Sequence, residues 1–146
     1  MTFVNQETLI RGFYEAFNEK DLDRMASLCA DTVSWLDVPA GITFKGKEGV
    51  HRYNQGWLDA FPDGKVEILN LIISGDRSVV EFVGRGTHRG TFKSPYGNIP
   101  ATGKAVEMRL CELMEIREGK IVKGTAYYDL SGFLAQLGQV PMRRVA

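Results

Sequence analysis

The run "AVEMRLCELMEIREGKIVKGTAYYDL", residues 105–130, constrains the fold of this chain most. Apolar and polar side chains alternate along it with the period of two that a half-buried strand requires, and Glu118-Gly119 interrupts the pattern in the middle. Two long strands joined by a tight turn follow from that. Upstream, "KVEILNLIIS" and "DRSVVEFVGRGTHRG" alternate likewise and meet at Gly75-Asp76, while "SPYGNIPATG" reads as turn-forming punctuation. The C-terminal part is therefore predicted to be mostly sheet.

The N-terminal part has a different period. Leu9, Ile10, Phe13, Tyr14 and Phe17 recur at three and four between Asn5 and Asn18, which predicts an amphipathic helix. "DLDRMASLCA" predicts a second, short helix with Asp21 as its N-cap, and "TVSWLDVP" a strand. Val50, Tyr53, Asn54, Trp57, Leu58 and Phe61 form the stripe of a third helix ended by Pro62 and Gly64, and "SGFLAQLG" has helical spacing. Helices ahead of strands imply an α+β fold, a cone in which a curved mixed or antiparallel sheet wraps around the helices and leaves an internal cavity. A length of 146 residues fits one domain spanning residues 1–146.

Charge narrows the partners. The 18 basic and 18 acidic residues balance, so no electrostatic pull toward nucleic acid or an anionic membrane is expected, and a small neutral ligand fits better. No run of about 18 apolar residues offers a membrane span. Cys29 and Cys111 stand far apart, and the first residues lack a secretory pattern, which predicts a reduced, cytoplasmic protein. His51 and His88 belong to no metal-ligand cluster, and no nucleotide-binding glycine motif occurs, so neither metal nor cofactor is expected. Both histidines read as structural or exposed.

Strand alternation then places the acids. Asp37 shares a face with Val33 and Trp35, and Glu112 shares one with Met108, Leu110, Met114 and Ile116. Asp129 ends the last strand on the side of Thr125 and Tyr127. Carboxylates held on apolar faces have their charged forms disfavoured and suit acid or base work near neutral pH. Each also has a plainer reading: Asp129 as the N-cap of the last helix, Asp37 in an Asx turn, Glu112 paired with Arg109 or Arg85. The outer face of the strands, with Leu71, Ile73, Val79 and Val83, looks too apolar for water and predicts a homodimer through the sheet.

The segments "FYEAFNEKDLDRMASLCADTVSW", "FKGKEGVHRYNQGWLDAFPD", "GRGTHRGTF", "PATGKAVEMR", "REGKIVKGTAYYD" and "LAQLG" together resemble the SnoaL-like polyketide cyclases of the nuclear transport factor 2-like superfamily, over about Gln6 to Pro141. The resemblance implies a cofactor-free intramolecular aldol closure in which Asp129 is acid and base. Asp37 is the second catalytic candidate. Tyr14, Phe17, Trp35, Tyr53, Asn54, Trp57, Glu112 and Tyr127 are the candidate substrate-binding residues, for a small apolar carbonyl or ester compound. Similarity to the ketosteroid isomerases implies an alternative pair, Asp37 as base and Glu112 as protonated donor. A noncatalytic ligand-binding module remains the third reading, because this fold hosts many functions.

Overall fold

The computed structural model describes residues 5–139; residues 1–4 and 140–146 lie outside it, and with them Pro141, where the sequence resemblance ends. The chain begins with α1 (Gln6–Asn18), whose N-cap Asn5 accepts backbone N–H bonds from Glu7 and Thr8, and α2 (Leu22–Ser27), capped by Asp21 through Arg24. There follow β1 (Cys29–Asp37), β2 (Ile42–Lys45) and α3 (Gly46–Ala60). The strand-rich part holds β3 (Lys65–Ser74), β4 (Arg77–Thr87), β5 (Phe92–Ser94), β6 (Gly97–Ile99), β7 (Ala105–Arg117) and β8 (Lys120–Tyr128), and α4 (Leu130–Gln136) ends the described chain.

Six strands form one curved, unclosed sheet in the order β2-β1-β8-β7-β4-β3, and β5 and β6 make a separate hairpin. The fold is mixed α+β, as the sequence pattern predicts. All neighbours in the main sheet are antiparallel except β1 and β8, which run parallel. The sequence gives no signal for β2 or the β5–β6 hairpin: β2 has only four residues, and the hairpin lies in the "SPYGNIPATG" region that reads as turns.

Helices α1, α2 and α3 pack their apolar stripes on the concave face with Trp35, Val80, Phe82, Leu110 and Met114. A smaller cluster joins the end of α3, the hairpin and α4 through Phe61, Phe92 and Phe133. Burial of this apolar surface is the main favourable term in folding.

Three expected faces change. On β8 the inward residues are Gly124, Ala126 and Tyr128, so Tyr127 lies on the outer face, 45% exposed. Trp35 dictates this choice: its ring lies against Gly124 so closely that a Cβ there would overlap it. On β3 a bulge between Ile68 and Asn70 reverses the alternation, and Leu71 packs on the core instead of facing out, with Ile73 on the same side of the strand. Val83 is buried. The outer apolar residues are instead Ile72, Leu113 and Tyr127, beside half-buried Val79.

No helix among the described residues is long and apolar enough to cross a membrane.

Candidate active site

The helical spacing that buries Phe13 and Phe17 also carries Tyr14 into the cone, and the alternation of β7 brings Glu112 to meet it from the opposite wall. The Tyr14 hydroxyl donates to Glu112 Oε1 at 2.7 Å, and both side chains are buried. Glu112 is 4% exposed, has no basic partner among the described ion pairs, and ends an apolar pocket. Arg85 and Arg109, its expected partners, pair on the outside with Glu67, Glu107 and Glu81.

Burial pushes the Glu112 carboxyl up to about 7; the Tyr14 hydrogen bond pulls the other way, and the charge of Asp37 adds to the rise. At neutral pH both its forms are therefore populated. Burial likewise raises Tyr14 well above the usual phenol range, with the Glu112 charge adding to it, so Tyr14 stays a donor.

The pocket around this pair has a volume of about 80 Å³ and an almost wholly apolar wall that includes Phe17, Met108, Leu110 and Phe133. Its polar lining groups are Tyr14, Glu112, Tyr53 and Asn54, with Lys65 and Arg85 at the rim. The rim opens into a surface groove of about 600 Å³ shared with Asp63, Glu107 and Gln136. Asn54 spends its side-chain N–H on the Val50 carbonyl one turn back in α3.

Asp37 serves a second cavity, of about 410 Å³, between α3, the β1–β2 turn and the β5–β6 hairpin. It accepts from the Tyr128 hydroxyl at 2.9 Å and from the Ala40 N–H at 3.2 Å, so the Asx-turn reading holds as well. Burial raises its carboxyl, and both hydrogen bonds work against that rise. Tyr53 and Trp57 line both cavities and form the partition between them. The Tyr53 hydroxyl is buried with no hydrogen-bond partner: the Trp57 indole lies near enough to favour the phenolate but does not reach bonding geometry.

The structure thus gathers Tyr14, Phe17, Tyr53, Asn54, Trp57 and Glu112 around the first pocket, and places Asp37 in the second. Trp35 is excluded from both. It is 1% exposed and stacks on Phe13 at 5.5 Å as a core residue. Tyr127 is excluded because the opposite face of β8 looks inward. Asp129 is exposed and lines neither pocket; its side chain accepts the Gly132 N–H at 2.9 Å as the N-cap of α4.

Tyr128, which the sequence pattern left outside, is the inward tyrosine of β8. The signal for it was available: Gly124 and Ala126 are the small residues of its alternating set, and large partners such as Trp35 need small residues opposite them. His88 is fully buried, accepts the Thr102 N–H on Nδ1 and stacks against Phe61, a structural role. His51 lies at the surface, 3.4 Å from Asp23. Among the described residues no three His, Cys, Asp or Glu side chains cluster as a metal site would need.

Solved structures share this architecture. IdmH from Streptomyces antibioticus, a proposed polyketide cyclase, is 30% identical, with a TM-score of 0.75 over 90% of this chain and 97% of its own. A proposed SnoaL-like polyketide cyclase from Jannaschia is 16% identical, with a TM-score of 0.83 over 97% of this chain and 98% of its own. A protein of ketosteroid isomerase-like fold from Catenulispora acidiphila, solved with trimethylamine, is 20% identical, with a TM-score of 0.75 over 94% of this chain and 97% of its own. The last two likenesses speak to the fold alone. No curated protein matches the chain. The family model described as SnoaL-like polyketide cyclase matches residues 8–137, nearly all of the chain that folds into the cone, and the chain belongs to that family.

Proposed function

We propose that the protein is a cofactor-free acid/base catalyst of the polyketide cyclase type, closing a ring in a small apolar carbonyl or ester compound by an intramolecular aldol step. The observation that carries this reading is Glu112: a buried carboxyl at the end of an apolar pocket, held by Tyr14 at 2.7 Å and poised at about 7. Ionised Glu112 removes a proton from the carbon next to the substrate carbonyl, leaving an enolate. That carbon bonds to a second carbonyl carbon of the same molecule, and the alkoxide formed there takes the proton back from Glu112. Atoms and electrons balance within one substrate. Tyr14 donates its one O–H to the ionised carboxylate, and once Glu112 has taken the substrate proton that O–H is released to turn toward the developing anion.

The resemblance assigns the acid/base role to Asp129, but its exposure and its capping bond favour Glu112 for that role in this chain. The assignment is tested by α-proton exchange of 2-tetralone in D2O, followed by proton NMR. Glu112→Gln is expected to slow exchange by about 10²–10⁴-fold, the usual worth of a general base. Exchange at the parent rate in Glu112→Gln, with loss in Asp129→Asn, would return the role to Asp129. Binding without exchange above buffer supports a noncatalytic module instead.

A second reading, isomerisation of an unsaturated ketone, draws on both Asp37 and Glu112 having raised carboxyls inside one cone. It requires Asp37→Asn to abolish exchange. A homodimer is the proposed assembly: Ile72, Val79, Leu113 and Thr125 form one cross-strand row on the outer face, and a second copy of this chain would cover it. The Glu81–Arg109 pair on the same face offers both signs of charge to a partner related by a twofold axis.

A further inference from the structure

Most glycines of this chain have a visible reason to be glycine. Gly124 lies under Trp35, a Cβ on Gly86 would press on Phe61 at 2.9 Å, a Cβ on Gly90 would strike the backbone of Asp59, and Gly75 and Gly119 turn with positive φ. Gly84 has none of these. It sits inside β4, paired with Val66 on one side and Met108 on the other, outside the left-handed region. A Cβ there would meet only Leu110 Cδ1, at 3.6 Å, an ordinary contact. Glycine in a strand interior weakens the strand and often marks a close approach by a ligand.

The place of Gly84 in the sheet supplies the second observation. Inward rows run Val80–Glu112, Phe82–Leu110, Gly84–Met108 and Gly86–Val106 from the acid toward the rim. Four residues of strand separate the Gly84 row from the acid row, about 13 Å. One pocket runs from Glu112 past Gly84 to Lys65, Arg85 and Gly86. Gly84 lines its wall between the Glu112 row and the rim residues Arg85 and Gly86.

We infer that Gly84 selects the ligand by size: the space a side chain would fill at this position is taken by the body of an elongated apolar ligand whose carbonyl head reaches Glu112. The inference rests on the apolar-carbonyl reading of the site above.

The test uses Gly84→Ala and Gly84→Val in the full chain, with cyclopentanone and 2-tetralone as probes. Binding is read by NMR titration of the Trp57 indole N–H, and stability by thermal melting. Valine suits a strand, so Tm is expected to hold or rise by about 1–4 °C. Gly84→Val is expected to weaken 2-tetralone about tenfold or more and leave cyclopentanone within about twofold, with Gly84→Ala between. Equal binding of 2-tetralone by parent and Gly84→Val would overturn the inference while sparing the site. A fall in Tm of more than about 5 °C would show that the glycine is structural, and would overturn it too. Failure of the parent to bind either ketone would remove the apolar-carbonyl reading, and size selection with it.

Discussion

Asp37 and Glu112 lie on one cross-strand row of the sheet, on either side of Ala126: Asp37 pairs with Ala126 across β1 and β8, and Ala126 pairs with Glu112 across β8 and β7. Two strand spacings, about 10 Å, separate their backbones. The methyl of Ala126 leaves the space between them to Tyr53 and Trp57, which assign each acid its own cavity. The charge of Asp37 still reaches Glu112 and disfavours its ionisation. Two acids kept apart in this way hold different environments within one cone, the condition for dividing acid and base roles.

Stability should fall as pH rises from about 4.5 through about 7. Glu112 has a folded value of about 7 against roughly 4.3 in an unfolded chain, so the native state holds its proton longer. Its contribution is complete below the unfolded value and lost above the folded one, about 4 kcal/mol in all. Asp37 is raised as well and acts in the same direction. Urea unfolding at pH 5 and pH 8 measures the difference. Glu112→Gln should flatten it, and an equally steep dependence in that variant would place its origin elsewhere.

Tyr14→Phe removes the hydrogen bond that holds the Glu112 carboxylate down. The Glu112 titration, followed by carboxyl carbon NMR, should move above about 7, and the loss of one buried charge-assisted bond should destabilise the protein by roughly 1–3 kcal/mol at pH 8. A downward movement would mean that Tyr14 is not the principal partner.

Asp129→Ala should cost about 0.5–2 kcal/mol, the usual worth of an N-cap, with the Gly132 N–H left unpaired at the start of α4. Asp129→Asn should restore most of that. Neither change should alter 2-tetralone exchange once the proteins are folded. Loss of exchange in a fully stable Asp129→Asn would instead make this residue catalytic.

Ile72→Lys and Leu113→Arg place charge in the outer apolar row, where Ile72 is 62% exposed. Light scattering at micromolar concentration should give a dimer for the parent and a monomer for each variant, with pocket binding of 2-tetralone retained. A monomeric parent would refute the assembly.

The local periods carried a good deal of this protein. The α1 stripe, the β7 alternation and the Asp21 cap are decided within a few residues, because helical and strand geometry fix which neighbours share a face. The inward positions of Tyr14, Asp37 and Glu112 were legible for that reason, and so was the general shape of an α+β cone. Asp129 was ambiguous in the sequence, since an aspartate between a strand and a helix fits a cap and a catalytic acid equally well.

What the tertiary structure alone decided were choices settled by side chains far apart in the chain. Tyr128, and not Tyr127, faces inward because Trp35 needs Gly124 beneath it, a steric match between two strands that alternation within one of them cannot reveal. The bulge in β3 turns Leu71 to the core for the sake of pairing with β4. The Tyr14–Glu112 bond spans 98 residues, and Gly84 stands out as a glycine without a structural cause only when its neighbours are known. Sequence periodicity determines which side of an element a residue occupies, whereas the packing of distant elements determines what that side meets.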